Sequence, residues 1–180
     1  PIYASCDQIE FTRVSPMLKV FVSYRRAESE GWVRGLDAQL AKALGRDNVF
    51  CDVQSLLPGT RFEERIRAWV AQAQVMLVVM GSLWTKVVGD DGRRRLLDPK
   101  DLVRREIELA FAHQLIVVPV LVGDARLPLP EELPPKLRRL VGHSAAMLRP
   151  PSFEADVSQL VEQLMEIERD AQSAAIMAED

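Results

Sequence analysis

The chain has 180 residues, 48% of them hydrophobic and 27% charged, with a formal net charge of -3. These totals suit one globular domain with a sizeable core and give no electrostatic case for nucleic acid as a partner. Two cysteines without CxxC spacing, Cys6 and Cys51, suit a reducing compartment better than a disulfide scaffold, and two histidines, His113 and His143, have no Cys or His partner at metal-ligand spacing.

Residues 1–16 lack a sustained period and are expected to be an N-terminal extension or tag remnant, with Ile9 to Val14 as a candidate strand. With Pro1 in the place of Met, the chain is expected to be a piece of a longer or processed one. The opening residues show no signal-peptide pattern, and Val75 to Met80, a continuous apolar run, is only strand length. Leu18 to Tyr24, rich in β-branched and aromatic residues, reads as the first strand, and Arg25 to Ser29 as a polar loop. Trp32, Val33, Leu36, Leu40, Ala43 and Leu44 recur at helical spacing up to Gly45. Asn48 to Asp52 predicts a short second strand, and Val53 to Gly59 a loop ending in a Pro58-Gly59 turn signal. Thr60 to Glu63 fits a capping box, opening a helix with Phe62, Ile66, Trp69, Val70 and Ala73 as its apolar stripe.

Val75 to Met80 predicts a third strand covered on both faces, ended by Gly81 and Ser82. A charged loop over Gly89 to Arg95 leads to a helix with Asp98 as its N-cap and Pro99 at its first position. Leu115 to Leu121 predicts a fourth strand whose Pro119 points to an end or edge position. A short helix over Lys136 to Val141, a last strand over Ala145 to Leu148 and an amphipathic helix from Phe153 to Ile167 follow, with Ala171 to Asp180 weakly patterned. This alternation implies a parallel α/β sheet with helices on both faces, in a flavodoxin-like five-stranded order, 2-1-3-4-5. Such sheets place their sites at the carboxyl ends of the strands, where the order switches between strands one and three.

One residue breaks the pattern of the helix after the third strand. On a wheel, Leu102, Val103, Ile107, Leu109, Ala110 and Phe111 fill an apolar arc of about 200°, and Glu106 falls inside it. A carboxylate there is paired, protonated or open onto a cavity; from the wheel alone the ordinary reading, a rim position reaching solvent or a structural arginine, is favoured. The switch point gathers Ser23, Tyr24, Arg25 and Arg26 from the first strand and Gly81, Ser82 and Trp84 from the third. Arginines can hold phosphate bidentately and aromatics can stack on a base, although surface arginines and a packing tryptophan are the ordinary fates of such residues. No GxxxxGK[ST], GxGxxG or GxSxG pattern is present, and the strand ends lack the acidic cluster of a phospho-acceptor receiver domain.

The run Val20-Phe21-Val22-Ser23-Tyr24-Arg25-Arg26 resembles the opening strand of a TIR domain. Phe50-Cys51-Asp52 and Leu57-Pro58-Gly59-Thr60-Arg61-Phe62 are similar to its second strand and the following BB loop. Val75 to Met80 with Gly81, Ser82 and Trp84 resembles its third strand and exit, and Val117 to Leu121 its fourth strand. Asp101 to Ile107 resembles the helix that bears the glutamate of NAD-cleaving prokaryotic members. The resemblance implies a domain over residues 17–168, with 169–180 as a C-terminal tail or helix extension. It implies a NAD+ glycohydrolase or cyclase that releases nicotinamide and ADP-ribose or a cyclic isomer, with NAD+ as substrate and no cofactor or metal. Glu106 would be catalytic; Tyr24, Arg25, Arg26, Phe62, Ser82, Trp84 and Leu102 would bind substrate, Leu102 standing where some active members carry tryptophan. Leu57, Pro58, Gly59 and Arg61 would form an assembly loop, the partners being NAD+ and other TIR domains in a homo-oligomer or filament, not nucleic acid or membrane. A cytoplasmic defence or signalling effector is the expected setting. The alternative is a TIR scaffold that recruits other TIR domains without turnover.

Overall fold

The computed structural model describes residues 18–51 and 62–178. The sequence expectations for residues 1–16, for a strand over Ile9 to Val14, for the loop Val53 to Gly59 and for a cap at Thr60 lie outside the described residues.

Five parallel strands form one sheet in the order β2-β1-β3-β4-β5, as the alternating pattern implied: β1 Val20–Ser23, β2 Val49–Cys51, β3 Val75–Met80, β4 Ile116–Val122 and β5 Ala146–Leu148. The central strand β3 is buried at all six positions and pairs from Val75↔Val20 to Val78↔Ser23 on one side and from Val75↔Ile116 to Met80↔Leu121 on the other. Strand alternation then divides the interior in two. Phe21, Met76, Val78 and Met80 join the cluster under α2 (Phe62–Val70), α3 (Leu102–Ala112) and the 3-10 segment Pro135–Gly142. Val20, Val22, Val75, Leu77 and Val79 join the cluster under α1 (Arg26–Leu44) and α4 (Phe153–Ala178). Covering both faces is what lets every residue of β3 be apolar.

Three sequence expectations need correction. The polar stretch Arg25 to Ser29 is the start of α1, not a loop: helix begins at Arg26, and Ser29 is fully buried one turn before the apolar period opens. α3 starts one turn later than Asp98. That carboxylate instead accepts from the Lys100 N–H at 2.8 Å, shaping the approach, and Asp101 is the N-cap, accepting from the Arg104 N–H at 3.0 Å. Pro119 lies in the middle of β4, an interior strand between β3 and β5, not at an end or on an edge strand. The register explains it: β5 pairs only with Val120 to Val122, so on that side no ladder has begun at Pro119. The last residues, expected as a tail or a helix extension, continue α4 unbroken to Ala178, past the end of its apolar stripe; the alanine-rich residues there are good helix formers and continue it without a stripe.

α4 comes close to α1 because Gly35 has no side chain: a Cβ there would stand 2.9 Å from the Phe153 ring, which packs at 5.8 Å against Trp32.

Candidate functional site

The site is built from the end of β1, the first turn of α3 and the loop between β3 and α3. Glu106 lies on the buried side of α3 with Val103, Ile107 and Ala110, and only 7% of it is exposed. The wheel position is therefore real. Its partner is Ser23, the last residue of β1, whose hydroxyl donates to Glu106 Oε2 at 2.6 Å. Burial pushes the Glu106 carboxyl up to about 7; the Ser23 bond and the charge of Arg25 pull the other way, and the charge of Asp101 adds to the rise. Near neutral pH this group exchanges its proton readily.

Above α3 stands a second buried polar pair. Both Arg25 Nη atoms donate to Asp101, at 3.0 and 2.9 Å, and each side chain is 6% exposed. The fork geometry matches a planar guanidinium to a carboxylate. Asp101 thus does two jobs: it caps α3 and it neutralises Arg25. Through them β1 and α3 are locked in register, and Ser23 is delivered to Glu106.

A cleft of about 1240 Å³ opens beside this pair. Tyr24, Arg25 and Arg26 line one side; Lys100, Asp101, Leu102 and Val103 line another. The loop between β3 and α3, including Arg93, Arg94 and Arg95, forms the rim, turned back by an antiparallel bridge between Val88 and Arg94 with Gly92 at φ 72°. The residues expected at the site thus separate into three groups. Tyr24, Arg25, Arg26 and Leu102 share the cleft wall. Glu106 is not among the cleft-lining residues; it follows Leu102 and Val103 by one turn and lies behind the wall. Ser82 and Trp84 face a different, smaller pocket of about 170 Å³ with Asp124, Arg126 and Glu132, and Trp84 is a core residue at 2% exposure. Leu57, Pro58, Gly59, Arg61 and the Phe62 side chain lie outside the described residues.

Two residues that carry the geometry, Asp101 and Glu28, were missed in the sequence, and Ser23, placed at the switch point there, was given no role. Asp101 could have been found: it stands three residues before Arg104, an N-cap spacing. Glu28 gave no such signal. It sits in the first turn of α1, accepts the Leu83 N–H, and lies over Gly81, where a Cβ would come within 2.7 Å of its Oε1. Burial pushes its carboxyl above the ordinary range, against the pull of the Leu83 N–H and of Arg25. Gly81→Ala is expected to displace Glu28 and break this tie, lowering stability by about 1–2 kcal/mol in denaturant melts. Adding Glu28→Ala to Gly81→Ala should cost little more, since both changes remove the same strut.

A family model described as "TIR domain" matches residues 20–161. The curated NAD(+) hydrolase tir-1 of Caenorhabditis elegans is 26% identical over 135 residues, which is 75% of this chain and 13% of that protein. The chain thus spans about an eighth of its length. Among solved structures, the TIR domains of the activated Roq1 resistosome, which recognises the pathogen effector XopQ, align with a TM-score of 0.57 at 16% identity, covering 83% of this chain and 98% of theirs. The TIR domain of the Toll-related receptor TRR-2 from Hydra magnipapillata aligns with a TM-score of 0.50 at 15% identity, covering 79% and 97%. At such identities the two structures speak to the fold alone.

Proposed function

This chain belongs to the TIR domain family, and on that premise we propose that it cleaves NAD+ at the nicotinamide–ribose bond. The observation that carries the reading is the carboxylate of Glu106, buried on an apolar helix face and held by Ser23 at the switch point of the sheet. The likeness to a NAD(+) hydrolase supports it.

Breaking that bond leaves positive charge on the ribose C1′ and its ring oxygen. A carboxylate fixed beside the ribose stabilises this oxocarbenium-like state, and the apolar surroundings strengthen the attraction. Nicotinamide is cationic in NAD+ and leaves neutral, taking the bonding electrons, so no general acid is required. Water then adds to C1′ and gives up a proton, yielding ADP-ribose. If the adenine of the same molecule adds instead, a cyclic isomer forms. Arg26 and Lys100 at the cleft wall suit the pyrophosphate, while Arg25 is committed to Asp101 and acts as a positioning residue. Tyr24 suits stacking on a ring. Ser82 and Trp84, which face the smaller pocket, carry no step here. Self-association through the loop over residues 57–61 is part of the reading, as is a role as a cytoplasmic defence or signalling effector.

The active form of Glu106 is the ionised one, so turnover is expected to rise as pH passes through about 7 and to level off above it. Ser23→Ala removes a bond that favours the charged form, and the rise should move to higher pH. Nicotinamide release measured across pH for both proteins tests this; identical profiles would remove Ser23 and Glu106 from the reaction.

One observation favours a second reading, a scaffold without turnover: Glu106 lies behind the cleft wall rather than on it. Product analysis of NAD+ incubated with concentrated protein separates the two. Nicotinamide with ADP-ribose or a cyclic isomer marks the enzyme; intact NAD+ marks the scaffold.

A further inference from the structure

Charge is distributed unevenly over the two faces of the sheet. α4 carries six carboxylates against one arginine. Two are spent within the fold: Asp156 accepts from Arg149 and Ser152, and Glu168 from the Leu18 N–H. The other four, Glu154, Glu162, Glu166 and Asp170, are exposed. At 1.5 Å per residue Glu162, Glu166 and Asp170, each one turn after the last, form a strip roughly 12 Å long on the side away from the buried Val157, Leu160 and Leu164, with Glu154 on its flank. On the opposite face of the sheet a groove of about 480 Å³ lies between α2, α3 and the 3-10 segment Pro135–Gly142. Its charged lining is Arg67, Arg105, Lys136 and Arg139 against one carboxylate, Glu108, which Arg104 holds at 2.8 Å and Lys136 at 3.4 Å. The Arg139 guanidinium lies over the Phe111 ring, 4.7 Å from its centre.

We propose that this groove receives the exposed acidic strip of α4 from a second copy of the chain. The occupant follows from the complementary charge and from the placement. With strip and groove on opposite faces, a chain cannot fill its own groove, and each copy that docks by one surface still offers the other. Such a heterologous contact propagates head to tail. The inference rests on the reading that copies associate, adding a second surface to the loop over residues 57–61; it does not rest on NAD+ cleavage.

Two charge-reversed proteins test it, Arg67→Glu/Arg139→Glu and Glu162→Lys/Glu166→Lys, all four positions being exposed. Mass is followed by sedimentation at about 0.02 M and 0.5 M salt, where screening differs severalfold in range. The parent should gain mass with concentration at low salt and return to monomer at high salt. Each reversed protein alone should stay monomeric, since groove and strip now repel. Mixed in equal amounts they should assemble again, because each groove then meets a strip of opposite sign. Thermal melts confirm that both are folded. A parent that is monomeric at low salt, reversed proteins that assemble as the parent does, or a folded mixture that stays monomeric would each overturn the proposal. No NAD+ enters the measurement, so an assembling protein that leaves NAD+ intact would overturn the cleavage reading alone.

Discussion

Glu106→Gln is expected to produce a protein that is more stable than its parent at pH 8 and has lost about a hundred- to a thousandfold of its nicotinamide release, the scale on which removing one electrostatic stabiliser acts. The stability half follows from linkage. The Glu106 pKa stands at about 7 in the folded chain against an ordinary 4.5. Below 4.5 both folded and unfolded states hold the proton, and the group costs nothing. As pH rises from 4.5 to 7 the unfolded state ionises while the folded state resists, so stability is lost progressively through that window and levels off above it. At roughly 1.4 kcal/mol per unit, the loss approaches about 3 kcal/mol. Glutamine keeps the shape and can still accept from Ser23, yet never ionises. The melting temperature of the variant should match the parent at pH 4 and exceed it by roughly 5–10 °C at pH 8. Equal melting curves at both pH values would mean that Glu106 ionises freely and is not the desolvated group described above.

Asp101→Asn is expected to be the most damaging single polar change. It leaves the Arg25 guanidinium buried without its carboxylate, and breaking a buried pair from one side costs about 3–5 kcal/mol. Asparagine retains an acceptor for the Arg104 N–H, so Asp101→Ala should cost about 1 kcal/mol more through the lost helix cap. The double change Arg25→Met/Asp101→Leu removes both charges and should recover most of the loss. Denaturant unfolding of the three proteins checks the order. Asp101 also raises the Glu106 pKa, so the pH-dependent rise in turnover should move to lower pH in whatever Asp101→Asn protein remains folded. That shift separates tuning of Glu106 from simple loss of structure.

The features of this fold that were legible in the sequence are those set by periodicity. The six-residue run of β3 and the place of Glu106 on the apolar side of α3 follow from where apolar residues recur, and the parallel sheet from the alternation of strand and helix. What was not legible depends on partners distant in sequence. Asp98 and Asp101 are both plausible caps, and Pro99 favours the first; Arg25, 76 residues away, pairs with the second and pins the helix start there. The first turn of α1 is polar, so no apolar period announces it, yet Ser29 is buried and Glu28 braces the exit of β3. Trp84 stands beside the strand end in sequence but turns into the core, and Ser82 with it borders a separate pocket. Position along a strand end gives the rim to which a residue belongs and not the direction its side chain takes.

The most direct measurement is nicotinamide release from NAD+ by the parent and Glu106→Ala side by side, at pH 8 and under crowding or low salt that favours association. The parent is expected to convert NAD+ to nicotinamide mole for mole while Glu106→Ala leaves it intact. An associated parent that leaves NAD+ unchanged, or a Glu106→Ala protein that releases nicotinamide at the parent's rate, would contradict a reaction centred on Glu106.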